Sequence, residues 1–78
     1  MILSPREREV LILAIQGHII GQIAGKLAIS KHTVRTYRKR IMDKLRADSM
    51  ELVILRAHHF DIIDLDSIPD VFVASKSD

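Results

Sequence analysis

Apolar residues recur at helical spacing in four separate stretches of this chain. In the third stretch, Val34, Tyr37, Ile41 and Leu45 gather on one face of a helix that turns about 100° per residue. The pattern predicts an all-α fold with helices at about residues 5–16, 20–28, 31–45 and 49–60, followed by a C-terminal extension. We therefore expect a helical domain at residues 1–60 and an acidic, partly apolar extension at residues 61–78.

Local signals indicate where the helices begin and end. Ser4 followed by Glu7 can form a capping box, and Pro5 suits the first helical position. Gly17 suits the left-handed residue that follows a helix, and Ser30 is a good N-cap for the third helix. The second helix has no such N-cap and contains two glycines, so we expect tertiary packing to hold it in place.

The first helix is apolar over more than half of its girth. Val10, Leu11 and Ala14 form its predicted inner stripe. Three further apolar residues lie away from that stripe: Ile12, Leu13 and Ile15. Either this helix is covered on two sides, or Ile12 is exposed for a contact.

The fourth helix carries two apolar stripes on opposite sides. The first stripe contains Met50, Val53, Ile54 and Ala57, and the second contains Leu52, Leu55 and His59. A helix in a single domain needs only one buried stripe. The second stripe therefore predicts a homodimer, and the alternative is that the extension folds back over Leu52 and Leu55.

Positive charge is concentrated on the third helix. From Lys31 to Arg46 there are seven Lys or Arg residues and one acid, Asp43. A basic face alone is usual for a solvated helix surface. Here, however, polar residues within two turns of the helix start face away from the apolar side, at the end that enters the major groove in a helix-turn-helix domain. These residues are Arg35, Thr36 and Lys39.

Size and composition exclude several other classes of protein. The 78 residues suit one small domain, and the chain has no cysteine for a disulfide or a thiolate zinc site. The four histidines lack metal-ligand spacing, and no catalytic constellation stands out, so we predict no metal, no cofactor and no enzymatic activity. The apolar runs are too short to span a bilayer, which favours a cytoplasmic protein.

The formal charge of +2 is unevenly distributed. Residues 1–60 carry eleven basic and five acidic side chains (+6), whereas residues 61–78 carry one Lys and five Asp (−4). A polyanionic partner is therefore plausible for the domain and not for the extension. A further hypothesis is that acidic residues of the extension fold against the basic helix and compete with DNA: Asp61, Asp64, Asp66 and Asp70.

Several short runs together resemble the LuxR/NarL-type helix-turn-helix domain of bacterial transcription regulators. They are Leu3-Ser4-Pro5-Arg6-Glu7-Arg8-Glu9-Val10-Leu11, Gly17, Ile23-Ala24, Leu27, Ile29-Ser30, Thr33-Val34 and Lys44-Leu45. The runs Thr33-Val34-Arg35-Thr36-Tyr37-Arg38 and Met42-Asp43-Lys44-Leu45 look closest to output domains of two-component response regulators such as the BvgA and EvgA group. Since such domains usually follow a receiver or sensing domain, we expect the chain to be a segment of a longer regulator.

The resemblance implies a role for individual residues. Base-edge contacts with double-stranded DNA would fall to Arg35, Thr36 and Lys39, and phosphate contacts to Ser30, Lys31, Thr33, Tyr37 and Arg40. Helices 2 and 3 would form the helix-turn-helix, and helix 4 would form a homodimer through Leu52, Leu55 and His59. RNA polymerase is a further candidate partner.

Two departures from the family pattern change the expectations. Where the family usually has Ser-Asn-Lys-Glu, this chain has Ile19-Ile20-Gly21-Gln22, which loses the N-cap and leaves apolar side chains near the surface. Where the family has Gly-Val, this chain has Arg46-Ala47, so we expect helix 3 to end differently.

Two alternative functions remain open. The first is a protein-binding module on the same fold, in which Ile12, Ile19, Ile20 and helix 4 dock a partner and the basic helix is incidental. The second is the promoter-binding segment of a sigma factor, which the start of the chain fits less specifically.

Overall fold

Four α-helices follow one another along the chain. The computed structural model describes residues 2–69, and the helices are α1 at Pro5–Ile15, α2 at Ile20–Leu27, α3 at Lys31–Lys44 and α4 at Met50–His59. A short 3₁₀ turn, Leu65–Ser67, follows. The described range contains no strand, so the all-α prediction is confirmed, with every helix bound within one residue of its predicted position.

Side chains at the helix N-termini satisfy backbone amides that have no partner inside the helix. The hydroxyls of Ser30 and Ser49 each accept from the amide three residues further on, at 3.0 and 3.2 Å. Ile19, at the start of α2, has no acceptor in its side chain, as the sequence predicts. Gln22 Oε1 instead accepts from the Ile19 amide at 2.9 Å, which supplies half of a capping box.

All four helices end in the same hydrogen-bonded motif. A left-handed residue follows each helix, and the next amide donates to the carbonyl five residues before it at 2.8–3.1 Å. The left-handed residues, with their φ angles, are Gly17 (92°), Ala28 (56°), Arg46 (52°) and Asp61 (58°). The expectation that helix 3 ends differently from the family pattern is therefore wrong. Arg46 adopts the left-handed conformation that glycine usually adopts at this position.

The core is formed by one side of each helix and by residues before α1 and after α4. Its buried apolar residues are Leu3, Val10, Leu11, Ile15, Ile23, Ala24, Val34, Ile41, Leu45, Val53, Ala57 and Ile63. Helix α3 packs against both α1 and α2. The predicted inner positions of α4 include Val53 and Ala57, which are fully buried.

The extension lies against a second side of α1. Ile15 is only 2% exposed, and Ile12 is half-buried. On the same side of α1, the Arg8 guanidinium donates to the Ile62 carbonyl and Gln16 Nε2 donates to the Pro69 carbonyl at 2.8 Å. Helix α1 is thus covered on two sides, which was the first of the two alternatives.

The extension does not cover the second stripe of α4 within the described residues. It turns at Asp61 and packs Ile63 into the core beside α1, while Leu55 is 67% exposed. The alternative in which residues 61–69 fold over Leu52 and Leu55 is therefore wrong. The strand-like run at residues 71–74 lies outside the described residues.

Glu7 is the one buried charged residue among residues 2–69, and it joins α1 to α3. One carboxylate oxygen, Oε1, accepts from the Ser4 amide at 2.9 Å and from Lys44 Nζ at 2.7 Å. The Glu7 amide donates to Ser4 Oγ at 3.2 Å, so the predicted capping box is confirmed. The Lys44 side chain is 40% exposed, so the pair lies at the edge of the core.

Opposing effects act on the Glu7 carboxyl. Burial raises its pKa, but the hydrogen bond from Lys44, the hydrogen bond from the Ser4 amide and the charge of Lys44 together lower it, so the pKa lies below its ordinary value of 4.5. Because the native pKa is below that of the unfolded chain, the carboxylate adds stability that is complete above about pH 4.5. That stability is lost as the pH falls through the native pKa.

We expect Glu7→Gln to lower the free energy of unfolding by about 1–3 kcal/mol at pH 7, because a charge-assisted hydrogen bond is lost at a buried position. The difference from the unsubstituted chain should shrink below about pH 4.5. Urea unfolding over a pH series measures both quantities. Glu9→Gln is the matched control, since the Arg6–Glu9 pair is exposed and should contribute less than about 1 kcal/mol. An equal loss in both variants, or a Glu7→Gln loss that persists in acid, would contradict the assignment.

We expect Ala28→Gly and Arg46→Gly each to raise the free energy of unfolding by about 0.5–1 kcal/mol. Glycine removes the strain of a left-handed backbone but loses more entropy on folding than the residue that it replaces. Gly17→Ala, at the equivalent position after α1, should have the opposite sign. Thermal unfolding of the three variants checks the prediction, and destabilisation by both glycine substitutions would refute it.

Candidate nucleic-acid interface

The packing of α3 fixes which of its side chains face solvent. Val34 and Ile41 are fully buried, and Leu45 is 5% exposed. The opposite side of the helix therefore faces outward, and it carries Arg35 and Lys39, which are exposed, and Thr36, which is half-buried.

The predicted contact residues divide into three strips along α3. At about 100° per residue, the predicted base-contacting residues cover an arc of about 100° on the outward side. Lys31 lies beside Arg35 at one edge of this arc. Thr33, Tyr37 and Arg40 lie beyond Thr36 at the other edge. The structure thus places predicted phosphate-binding groups on both flanks of the predicted base-reading strip, as a helix between two sugar-phosphate strands requires.

Two hydroxyls meet at the N-terminus of α3. Ser30 Oγ and Thr33 Oγ1 lie 2.8 Å apart, and Ser30 Oγ also accepts from the Thr33 amide. Each hydroxyl has one proton. Since one proton is enough for their mutual bond, the other remains for an anion, at the helix end whose dipole favours negative charge.

Tyr37 and Arg40 form a stacked pair on the same flank. The Arg40 guanidinium carbon lies 5.8 Å from the centroid of the Tyr37 ring, within the range of a cation–π contact. Because the half-buried ring holds the guanidinium, Arg40 presents its charge from a restricted position.

Thr36 presents mainly a methyl group to a partner. Its hydroxyl donates to the His32 carbonyl at 3.1 Å, so the proton of the hydroxyl is already in use. The methyl group of Thr36 suits an apolar contact, for example with the methyl group of thymine.

Two charged residues near the end of α3 differ from the basic residues before them. Lys44 belongs to the basic run but is held by Glu7, so its charge is directed toward α1. Asp43 is exposed and shares the outward direction of Thr36 and Lys39, where its charge would repel phosphate.

An open groove with a volume of about 540 Å³ lies beside α3. Its walls include the start of α2, one side of α3 and Met50 at the start of α4. Lys31, Arg35 and Arg38 reach it from α3, and Arg38 was not among the predicted site residues. The spacing of four and then three residues, which places these cations on one side of a helix, was the signal in the sequence.

The predicted dimer residues occupy the side of α4 that faces away from Val53 and Ala57. Leu55 is 67% exposed, His59 is exposed and Leu52 is half-buried. The His59 ring packs edge-on against Phe60 with 5.0 Å between ring centroids. The three residues thus form a surface stripe, and their role in a dimer stays a prediction.

Acidic residues of the extension do not pair with the basic helix in the described part of the chain. The ion pairs found there are Arg6–Glu9 at 3.2 Å and Lys44–Glu7. Asp64 Oδ1 instead accepts from the Asp66 amide at 3.0 Å and caps the 3₁₀ turn. The hypothesis that the extension competes with DNA gains no support from these residues, and Asp70 lies outside them.

Residues 2–69 present neither a metal site nor a membrane-spanning helix. No group of three or more His, Cys, Asp or Glu side chains is placed to hold a metal ion. Within the same residues, no helix has the length and apolar character needed to cross a membrane.

Comparison with known proteins gives matches over most of the chain. The profile described as bacterial regulatory proteins, luxR family, matches residues 1–57. Response regulator GacA of Pseudomonas aeruginosa is 40% identical over 58 residues, which are 73% of this chain and 27% of GacA. Nodulation protein W of Bradyrhizobium diazoefficiens is 42% identical over 48 residues, 62% of this chain and 21% of that protein.

The tetrathionate response regulatory protein TtrR of Salmonella typhimurium is 37% identical over 54 residues, 69% of this chain and 26% of TtrR. The chain thus spans about a quarter of the length of the curated relatives that it matches. No solved structure matches it significantly.

Proposed function

Because the chain belongs to the luxR family of bacterial regulatory proteins, whose helix-turn-helix domains serve DNA-binding transcription regulation, we propose that it binds double-stranded DNA sequence-specifically through α3. One observation carries the proposal: the outward side of α3 presents a polar strip flanked on both edges by groups suited to phosphate. In this proposal α2 and α3 form the helix-turn-helix, and the N-terminal turns of α3 enter the major groove.

The residues on α3 have separate roles in the proposed complex. Arg35 and Lys39 donate to base edges, with guanine N7 and O6 as the best acceptors, while the Thr36 methyl contacts a thymine methyl. Ser30, Lys31, Thr33, Tyr37 and Arg40 bind phosphates and fix the orientation of α3. Asp43 marks the end of the proposed contact surface. If α3 entered the major groove more deeply, the Asp43 carboxylate would be repelled by DNA phosphates.

The second proposal is a homodimer through α4. A homodimer through Leu52, Leu55 and His59 would remove the exposed Leu55 from water and place two copies of α3 on half-sites about one helical turn apart. A DNA site with twofold symmetry would then be contacted by both copies of α3.

The wider role follows from the relatives. GacA and TtrR are named as response regulators, and we propose that this chain is the DNA-binding output part of such a regulator, acting in the bacterial cytoplasm. RNA polymerase is the proposed partner at a promoter. Selection of bound duplexes from a random pool tests binding, sequence preference and twofold symmetry together.

We expect Arg35→Ala to reduce discrimination between the preferred site and its variants by about 1–3 kcal/mol, because a base-edge contact is lost. Lys31→Ala should instead weaken binding evenly across sequences and reduce the salt slope by about 1, since one phosphate contact is lost. Titrations of labelled duplexes at several salt concentrations measure both effects. Lys26→Ala is the charge-matched control, because exposed Lys26 lies on α2 outside the proposed contacts. Unchanged affinity and preference in Arg35→Ala would rule out the proposed position of α3.

We expect Leu55→Glu to weaken self-association at least about tenfold, because a buried leucine is worth about 1.5–3 kcal/mol and the substitution adds two like charges across the twofold axis. Sedimentation equilibrium measures the dimer constant, and a duplex with a single half-site measures monomer binding. Ile2→Glu is the charge-matched control, since Ile2 is 49% exposed before α1 and lies outside the stripe. Loss of half-site binding together with the dimer would point to misfolding and would contradict a role limited to dimerisation.

A further inference from the structure

The groove beside α3 combines an apolar floor with a cationic rim. Ile19, Ile20 and Met50 line the floor, and Ile19 is 69% exposed. Lys31, Arg35 and Arg38 line the rim, with the Lys31 stem lying against Gly21 at the start of α2. The groove thus offers apolar contact area and three positive charges over about 540 Å³.

The proposed DNA complex leaves the apolar part of this surface unused. At about 100° per residue, Arg38 lies about 160° around α3 from Thr36, so a duplex seated on Thr36 and Lys39 leaves it directed away from the bases. Arg38 lies only about 20° from Lys31, on the flank where the phosphate contact is proposed. Sugar and phosphate groups also offer little apolar area to match Ile19, Ile20 and Met50.

The groove favours an amphipathic occupant. It is open to solvent and is lined by the start of α2, one side of α3 and Met50 of α4, so it does not enclose a small molecule on most sides. An amphipathic helix fits such a groove by placing apolar side chains three and four residues apart on the floor. Carboxylates along the edge of that helix can reach the three rim cations.

We propose that this groove binds an acidic amphipathic helix of a partner protein. Leucine-like side chains of the partner cover Ile19, Ile20 and Met50, and its Glu or Asp residues pair with Arg38 and with the two cations nearer the DNA-binding strip. Exposed Ile19 and half-buried Ile20, at the start of α2, thereby gain a function.

The partner also antagonises DNA, a consequence that rests on the proposed function. Lys31 and Arg35 belong both to the groove rim and to the proposed DNA contacts. A carboxylate that neutralises them removes donors that the duplex needs, so the helix and the duplex exclude one another.

The test uses the full chain and a designed probe. The probe is a 16-residue acetylated peptide with Leu at helical positions i, i+3, i+4 and i+7 and Glu at most other positions. Two control peptides are used, one with Lys in place of every Glu and one with the same composition in scrambled order. Amide chemical shifts of the labelled protein, recorded without DNA, report where each peptide binds.

We expect the acidic peptide to shift the amides of Ile19, Ile20, Arg38 and Met50, and the two control peptides to bind at least about tenfold more weakly. Ile19→Ser and Arg38→Gln should each weaken peptide binding about fivefold or more, which corresponds to about 1 kcal/mol. Both substituted residues are at least partly exposed, so the fold should be retained, and DNA affinity should change less than about twofold. Phe60→Ser, at the end of α4 and outside the groove lining, is the control for loss of exposed apolar surface elsewhere.

Two results would overturn the proposal. One is a peptide that causes no shifts at the groove, or whose binding is unaffected by Ile19→Ser and Arg38→Gln. The other is DNA binding that weakens in Arg38→Gln with a smaller salt slope, which would make the groove a contact for the DNA backbone. Because peptide binding is measured without DNA, a failure of DNA binding would be recognised separately and would remove only the competition.

Discussion

The burial of Val34, Ile41 and Leu45 fixes the rotation of α3 about its own axis, and the outward surface of the domain depends on that rotation. A turn of one residue position would move these three apolar side chains out of a close-packed core, so it would be strongly unfavourable. A charged hydrogen bond of 2.7 Å at the last turn of α3 specifies one setting. Because neighbouring residues on a helix differ by about 100°, a shift of one position would replace every residue of the outward strip.

Much of this arrangement could be predicted from the sequence, because its causes are local. Ser4 and Ser30 cap helices through amides three residues away, and Gly17 ends the first helix. The outward strip follows from the helical period together with the apolar residues of α3. These features need no knowledge of distant parts of the chain.

The features that could not be predicted have separate physical causes. The sequence left two alternatives for α1, because the hydrogen bonds from Arg8 and Gln16 to the extension join residues more than 50 positions apart. Arg46 adopts a left-handed backbone because the motif that ends α3 satisfies two carbonyls, which outweighs the strain. Arg38 was missed because its significance depends on the groove that the start of α2 forms beside it.

The hydrogen bond from the Thr36 hydroxyl to the His32 carbonyl has a chemical consequence in the proposed complex. With the hydroxyl proton occupied, the side chain reads DNA chiefly through its methyl group, and the group it seeks on the base is a methyl at C5. Thymine carries that methyl, and so does cytosine after methylation by a DNA methyltransferase. A regulator that reads a base in this way would respond to epigenetic marking of its site as well as to the underlying sequence.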